Sequence, residues 1–339
     1  MKIVIDGMGG DNAPAAGVGG AVLASRETEH EIVLVGREKL IKKELKKQKY
    51  DKHQISVVNA EEVIGMEDQP VKAVRSKKDS SMVRGLRMIK DGEGDIFISA
   101  GSTGALVAGS LFNLGRIHGI DRPAIASVYP ILGQGRASLL VDAGANAECK
   151  LDNLVQFAYM GSIYMEKVIG KEAPEVALVN IGEEESKGSL LYKSAHAVLK
   201  RSQLNFTGNI EARDVPKGRC DVIVCDGFTG NVILKLTEGL AWNILKMLKK
   251  KLTAGNRAKL GALMLMPQIK ELRQEYDYSE YGGAPILGVK GPVVKMHGSS
   301  SENAVKNTIL KAIPYAEHDV VSVIEKSVGD IEEILESGE

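Results

Sequence analysis

DIFISAGSTGALVAGSLFNLGRI, residues 95–117, decides the fold. Its opening, Asp95–Ile98, is an apolar run behind a single acid, as a strand buried on both faces requires. From Ala105 onward apolar residues return at helical spacing. Between the two lie Ser99, Ala100, Gly101, Ser102, Thr103 and Gly104, a junction with almost no side chain. Bare main chain and hydroxyls at the start of a helix suit a bound anion, because the first amides of a helix have no partner within it.

The same unit recurs along the chain. KIVID (Lys2–Asp6), EIVLVG (Glu31–Gly36), ISVVNA (Ile55–Ala60), SLLVDAG (Ser138–Gly144), VALVNIG (Val176–Gly182) and DVIVCDG (Asp221–Gly227) each run apolar and break at a small or polar residue. Helical periodicity follows most of them. Continuous apolar strands alternating with helices predict a mainly parallel, Rossmann-like sheet in a three-layer α/β/α sandwich. No internal repeat or low-complexity linker divides it, so a single α/β domain over residues 1–339 is expected. The lysine-rich Arg37–Gln54 predicts a solvated helix face and a turn.

Composition removes several classes of function. Among 339 residues, Lys and Arg total 44 and Asp and Glu total 44, for a formal charge of +0. That balance lacks the basic footprint of a nucleic-acid binder. The N-terminus has no signal-peptide pattern and no apolar run reaches the length of a membrane span, so a cytoplasmic location is expected. Cys149, Cys220 and Cys225 are too few for a disulfide framework or a zinc site. No metal and no cofactor are expected.

In sheets of this kind ligands sit outside the carboxyl ends of the strands. There the chain carries Asp6 with GMGGDNAP, SAGSTGA, DAGAN (Asp142–Asn146), NIGEEESKG (Asn180–Gly188) and DGFTGN (Asp226–Asn231). If these loops share one crevice, it is rich in free amides and hydroxyls. A Walker cradle needs a lysine directly after the glycine loop, and SAGSTGALVA has none. A dinucleotide fingerprint needs a third glycine where Asn12 stands, and the acid expected after the second strand is missing. A compact anion remains, either free phosphate or a phosphate carried by a substrate.

The runs DGMGGDNAP, VKAVRSKKDSSM, SAGSTGALVA, DAGAN, NIGEEESKG, DGFTGN followed by KLTEG, and KMHGSS occur in this order from Asp6 to Ser300. Together they resemble the PlsX family of phosphate acyltransferases. The resemblance implies acyl transfer from acyl carrier protein to inorganic phosphate, giving an acyl phosphate for phospholipid synthesis. It also implies a homodimer, a fold like those of phosphotransacetylases and the isocitrate dehydrogenase group, and peripheral attachment to the inner face of the cell membrane. A glycerol-3-phosphate acyltransferase would act downstream. Gly7 stands where alanine is commoner in the family, and Ser102 where asparagine is commoner, which argues against a role for a side-chain amide at 102. A dehydrogenase or a phosphotransacetylase-like enzyme of the related fold is the alternative.

Phosphate is already a nucleophile and a thiolate leaves readily, so no Ser-His-Asp machinery is needed. What the reaction asks for is in-line placement and stabilisation of charge on the carbonyl oxygen. Phosphate is assigned to Gly101, Ser102, Thr103, Gly104 and their amides, with Gly182 and Gly227 as further bare positions. Lys187, in a glycine-flanked loop, is the candidate cation for phosphate or carbonyl. Asn146, Asn180 and Asn231 either hydrogen-bond an oxyanion or serve as caps and turns. Asp6, Asp142 and Asp226 are expected to orient lysine, amides or the pantetheine arm rather than to face phosphate. His297 either protonates the leaving thiolate or packs beside a capping box made by Ser299 and Glu302.

Ala241–Leu272 differs from the rest, as part of a helical amphipathic extension over about residues 240–282. Trp242, Leu245, Leu248 and Leu252 are spaced for one helical face, and Leu260, Leu263, Met264, Leu265 and Met266 form a second apolar cluster. Such a segment packs on the core or a dimer mate, or meets an anionic membrane or an acidic carrier protein. Trp242, Leu260, Leu263, Met264 and Met266 are the candidate membrane contacts.

Overall fold

Side chains along each strand alternate between two cores, one on each face of the sheet. In β1 (Lys2–Asp6), Ile3 and Ile5 enter one core and Val4 the other. In β4 (Ile96–Ser99) the same division separates Ile96 and Ile98 from Phe97. All six are fully buried, which explains why these runs lack the polar alternation of a half-exposed strand. The computed structural model describes residues 1–131, 136–253, 255, 265–266 and 282–336.

The remaining strands are β2 (Glu31–Gly36), β3 (Ile55–Asn59), β5 (Ala124–Pro130), β6 (Ala137–Val141), β7 (Val176–Asn180), β8 (Phe206–Glu211), β9 (Val222–Val224), β10 (Ala284–Leu287) and β11 (Val293–Lys295). They form one 11-stranded sheet in the order β3-β2-β1-β4-β11-β10-β5-β6-β9-β7-β8. The sheet is mixed. β10 pairs antiparallel with both β11 and β5, and β5 pairs antiparallel with β6. Every other pairing is parallel.

This pattern reverses the polarity of the sheet across its middle. β1, β4, β11 and β5 point one way, whereas β6, β9 and β7 point the other. Their carboxyl ends therefore lie at opposite edges. The single crevice expected from the sequence is replaced by two sets of loops, one after β1, β4 and β11 and one after β6, β7 and β9.

Helices cover both faces: α1 (Ala15–Ala24), α2 (Glu38–Leu45), α3 (Pro70–Ser76), α4 (Ser81–Lys90), α5 (Thr103–Asn113), α6 (Leu151–Lys167), α7 (Leu190–Leu199), α8 (Gly227–Leu252), α9 (Glu302–Glu317) and α10 (Val320–Glu336). α1 lies close against α9 because its glycines leave room: a Cβ on Gly20 would stand 2.4 Å from Val305. α9 is capped by Ser301, whose side chain accepts from the Ala304 amide, and not by Ser299. Ser299 instead hydrogen-bonds the His297 ring at 2.8 Å.

α8 is longer than the sequence suggested. The stretch from Ala241 is the second half of a helix that begins at Gly227, capped by Asp226. Leu245, Leu248 and Leu252 are half-buried, while Trp242 is 65% exposed. Phe228, Val232, Leu236, Leu240 and Ile244, one turn apart, leave a further apolar stripe exposed. Leu265 and Met266 are exposed, whereas Leu260, Leu263 and Met264 fall outside the described residues. No helix among the described residues is long and apolar enough to cross a membrane.

α4 seats on β4 through Gly85, where a Cβ would lie 2.1 Å from Phe97 Cε2. Gly85→Ala should therefore destabilise the protein by about 2 kcal/mol through overpacking. A lowered urea midpoint with unchanged slope is the expected result.

Candidate active site

Asp6 ends β1 and is 3% exposed. Its carboxylate accepts from Ser99 Oγ at 2.7 Å and from the Met8 amide at 3.1 Å. Ser99 Oγ in turn accepts from the Gly101 amide at 3.0 Å. Burial pushes the Asp6 carboxyl above its usual range, and donors from Ser81, Ser99, Met8 and Gly9 act against that rise. Asp6 thus fixes the loops after β1 and β4 relative to each other. Gly9 is needed because a Cβ there would meet Asp6 Oδ2 at 2.6 Å and the Gly101 nitrogen at 2.7 Å.

Ser102 follows as the N-cap residue of α5, yet its side chain makes no capping hydrogen bond. Among the described residues neither the Ser102 nor the Thr103 hydroxyl has a partner. Thr103, Gly104 and Ala105 start the helix, and the first intrahelical bond at this end runs from Leu106 to the Ser102 carbonyl at 2.9 Å. Thr103 and Gly104 are exposed. The bare junction is an open set of donors at the positive end of a helix dipole.

Two lysines absent from the sequence-based candidates join this set. Lys295 pairs in register with Ser99, placing it at the carboxyl end of β11. Its ammonium donates to the Met296 carbonyl. Burial lowers its pKa to about 8, with Asp6 and Asp11 opposing that shift and Lys235 adding to it. His297 is likewise pushed down, first by burial and then by Lys235, so its ring is predominantly neutral near pH 7. A neutral ring is a poorer acid for a thiolate, which weighs against the first of the two roles read from the sequence. Lys235 lies on α8 and pairs with Glu238 at 2.8 Å.

The second set surrounds Asp142, which is fully buried. Its carboxylate accepts from the amides of Ile125 (3.0 Å), Gly144 (3.0 Å), Ala145 (2.9 Å) and Asn146 (2.7 Å) and from Asn146 Nδ2 (2.8 Å). Burial raises its pKa, and these donors counter the rise. Asn146 Nδ2 also donates to the Pro123 carbonyl at 2.7 Å. Of the DAGAN amides, those of Gly144, Ala145 and Asn146 are thus spent on Asp142 and those of Asp142 and Ala143 on the Cys225 and Ile125 carbonyls, so all are closed to phosphate. Gly227 donates its amide to the Asn146 carbonyl at 2.7 Å, and a Cβ there would lie 2.7 Å from Asp142 Oδ2.

Asp226 accepts from Thr229 at 2.8 Å and from Tyr192 Oη at 2.6 Å. Asn180 accepts from the Ile181 amide at 2.9 Å and donates to the Lys187 carbonyl at 3.2 Å, so it shapes the loop that carries Lys187. The Lys187 stem crosses Gly182, where a Cβ would lie 2.9 Å from its Cγ. Among the described residues the Lys187 ammonium pairs with no carboxylate. Asn231 is exposed and stands beside Gly144, whose missing Cβ would sit 3.4 Å from it. Glu183, Glu211 and Asp214 bring carboxylate oxygens within 4.8 Å of one another. Arg219 pairs with Glu183 at 2.5 Å, Lys217 with Asp214 at 2.6 Å, and Arg213 with Glu211, which balances their charge.

Ser102 and Lys187 belong to different sets, and α8 links the two. It leaves the carboxyl end of β9 at Asp226, passes Gly144 with Asn231, and brings Lys235 into the electrostatic field of Lys295 and His297. Thr237 then bonds Tyr129 Oη at 2.9 Å near the carboxyl end of β5, at the first set's edge. Asn231 and Lys235 are one helical turn apart.

This fold class is that of the phosphotransacetylases: 94% of the chain superposes on 94% of a phosphotransacetylase from Streptococcus pyogenes with a TM-score of 0.65 at 16% identity. Residues 1–323 match the family described as Fatty acid synthesis protein. A phosphate acyltransferase from Alkaliphilus oremlandii is 53% identical, over 98% of each chain. One from Clostridioides difficile is 48% identical, again over 98% of each. The chain is an acyltransferase of fatty acid and phospholipid synthesis, and it belongs to the PlsX family of phosphate acyltransferases.

Because Asp142 holds main-chain donors from both sides of its loop, Asp142→Asn should cost on the order of 3 kcal/mol by turning one acceptor into a donor that faces N–H groups. Thermal unfolding should show a lowered melting temperature; an unshifted transition would mean the loop does not depend on the carboxylate.

Proposed function

We propose that the chain transfers the acyl group of an acyl carrier protein thioester to inorganic phosphate. A phosphate oxygen attacks the carbonyl carbon, the C–S bond breaks, and acyl phosphate and the carrier thiolate leave. The observation that carries this reading is the start of α5, where the Ser102 and Thr103 hydroxyls and the first amides are unengaged, whereas the amides of Gly144, Ala145 and Asn146 are taken by Asp142. Phosphate is held there, with Lys295 and Lys235 supplying positive charge. Lys187 and Asn231 act on the carbonyl side, where one well-placed donor is typically worth about 3 kcal/mol. No side-chain nucleophile and no covalent enzyme intermediate are required.

An apolar acyl group on the product favours work at a membrane surface, and the exposed apolar residues of α8, Trp242 among them, with Met266 beyond it, are the contacts we assign to it. The same reading makes the active species a homodimer whose product passes to a glycerol-3-phosphate acyltransferase.

Trapping with hydroxylamine tests the reaction. Hydroxamate should form from carrier thioester only when phosphate is present; formation without phosphate would point to an acyl-enzyme instead. Lys187→Ala should lower turnover about a hundredfold. A loss of only a few-fold would remove Lys187 from the chemistry.

A pH test follows from Lys295. Its amine is charged below about pH 8 and neutral above, so phosphate affinity should weaken as pH rises through that value. Lys295→Arg should flatten this limb, because arginine keeps its charge. An unchanged limb in the arginine variant would assign the titration to another group.

A further inference from the structure

On the carrier-protein reading, on which this inference rests, the carrier needs a seat on the enzyme's surface. Pantetheine is a long arm, so its protein docks at a distance from the reacting carbonyl. α3 adjoins the phosphate junction: a Cβ on Gly104 would lie 2.9 Å from Pro70 Cγ, at the first residue of α3. Met66, just ahead of α3, reaches within 3.7 Å of the position a Cβ on Gly298 would take, next to His297.

The outward side of this helix has an unusual make-up for a chain with no net charge. Lys72 and Arg75 on α3, and Lys78 two residues past its end, are exposed and, among the described residues, form no ion pair. Lys77 is different, being held by Asp68 at 2.5 Å. Met66 ahead of α3, Val71 on it and Phe112 near the end of α5 are 54%, 48% and 49% exposed. The Arg75 guanidinium lies 4.7 Å from the centroid of the Phe112 ring, which orders both without burying either. An arginine stacked on an exposed aromatic, with aliphatic neighbours and unpaired lysines, has the make-up of an interface anchor.

We propose that this face, built from α3 and the end of α5, docks an acidic carrier protein and directs its thioester arm past Pro70 to the junction at Thr103 and Gly104. Charge complementarity selects this occupant. A second copy meeting the same patch across a two-fold axis would set Lys72, Arg75 and Lys78 against their own equivalents. An acidic helical partner neutralises them, and Phe112 and Val71 provide the desolvated centre. Thr103 to Phe112 spans about 14 Å along α5, a separation that a flexible arm bridges and a small thioester does not need.

The test replaces Lys72, Arg75 and Lys78 together by Glu, with Phe112→Ala as a second variant and Lys249, Lys250 and Lys251 together replaced by Glu as the comparison on α8. The triple variant should raise the KM for carrier thioester about tenfold and abolish its rise with salt. Turnover at saturating carrier thioester, the KM for phosphate and the melting temperature should stay at parental values. Phe112→Ala should raise the same KM about threefold. Binding of unacylated carrier protein, followed by fluorescence anisotropy, should weaken in parallel. The proposal falls if the α3 triple variant keeps its carrier KM within twofold. It also falls if the α8 variant alone shows the rise, if phosphate KM and turnover drop together with it, or if only liposome binding or the oligomeric state changes. Should the parent bind carrier protein but fail to consume its thioester, the reaction reading is what fails; should it not bind at all, the docking site fails as well.

Discussion

Opposed strand polarity is the constraint on which the site depends. A wholly parallel sheet would bring every strand-end loop to one edge. Here the antiparallel pairings of β5 and β10 turn the second half of the sheet around, so loops with similar composition end up at opposite edges. Only an element that runs back along the sheet can put groups from both halves into one electrostatic environment. α8 does this with side chains a single turn apart, Asn231 near Gly144 and Lys235 near Lys295 and His297. Its placement is enforced at the start by Gly230, where a Cβ would lie 2.0 Å from the Asp142 carbonyl oxygen. No larger residue fits there without moving the helix.

Buried carboxylates divide the loops into structural and open ones. An ionised carboxylate removed from water must be hydrogen-bonded from several sides, and Asp142 satisfies that need with the amides of its own loop. Asp6 uses Ser99 in the same way. The consequence is subtractive: amides that look available in a glycine-rich sequence are already taken. At the start of α5 no acid stands in the first turn, and the amides and hydroxyls stay unengaged. An anion binding there meets donors whose reorganisation cost has been met by folding.

Strands with a continuous apolar run were legible from sequence, since burial on both faces leaves no polar position; β1 and β2 fall on the residues expected. β10 and β11 were not, because APIL and VVK are too short to stand out between glycines, and only their central place in the sheet gives them their pairing. β5 was missed as well, and it and β10 are the strands that control polarity, so the error spread to the expected single crevice. The start of α5 at Thr103 was legible because a helix start is encoded locally. Lys295 was not, since a lysine after two valines reads as the exposed end of a strand until β4 and α8 enclose it. Ser299 looked like a cap by its spacing to Glu302, but the chain turns two residues later and gives that position to Ser301.

Net charge and local charge answer different questions. A formal charge of +0 leaves no net attraction to a distant polyanion, which depends on the summed field. Within a Debye length the sum is irrelevant, and what counts is which cations lack a nearby acid. In the Asp68–Arg84 region, Asp68 holds Lys77 and Asp79 holds Arg84, while Lys72, Arg75 and Lys78 are left without an ion pair among the described residues. The same accounting separates Lys187 from Lys200, which Glu185 holds at 2.5 Å. Pairing, more than lysine number, therefore distinguishes a solvated surface from one that can recognise an anion or an acidic protein, and that distinction exists only after the chain has folded.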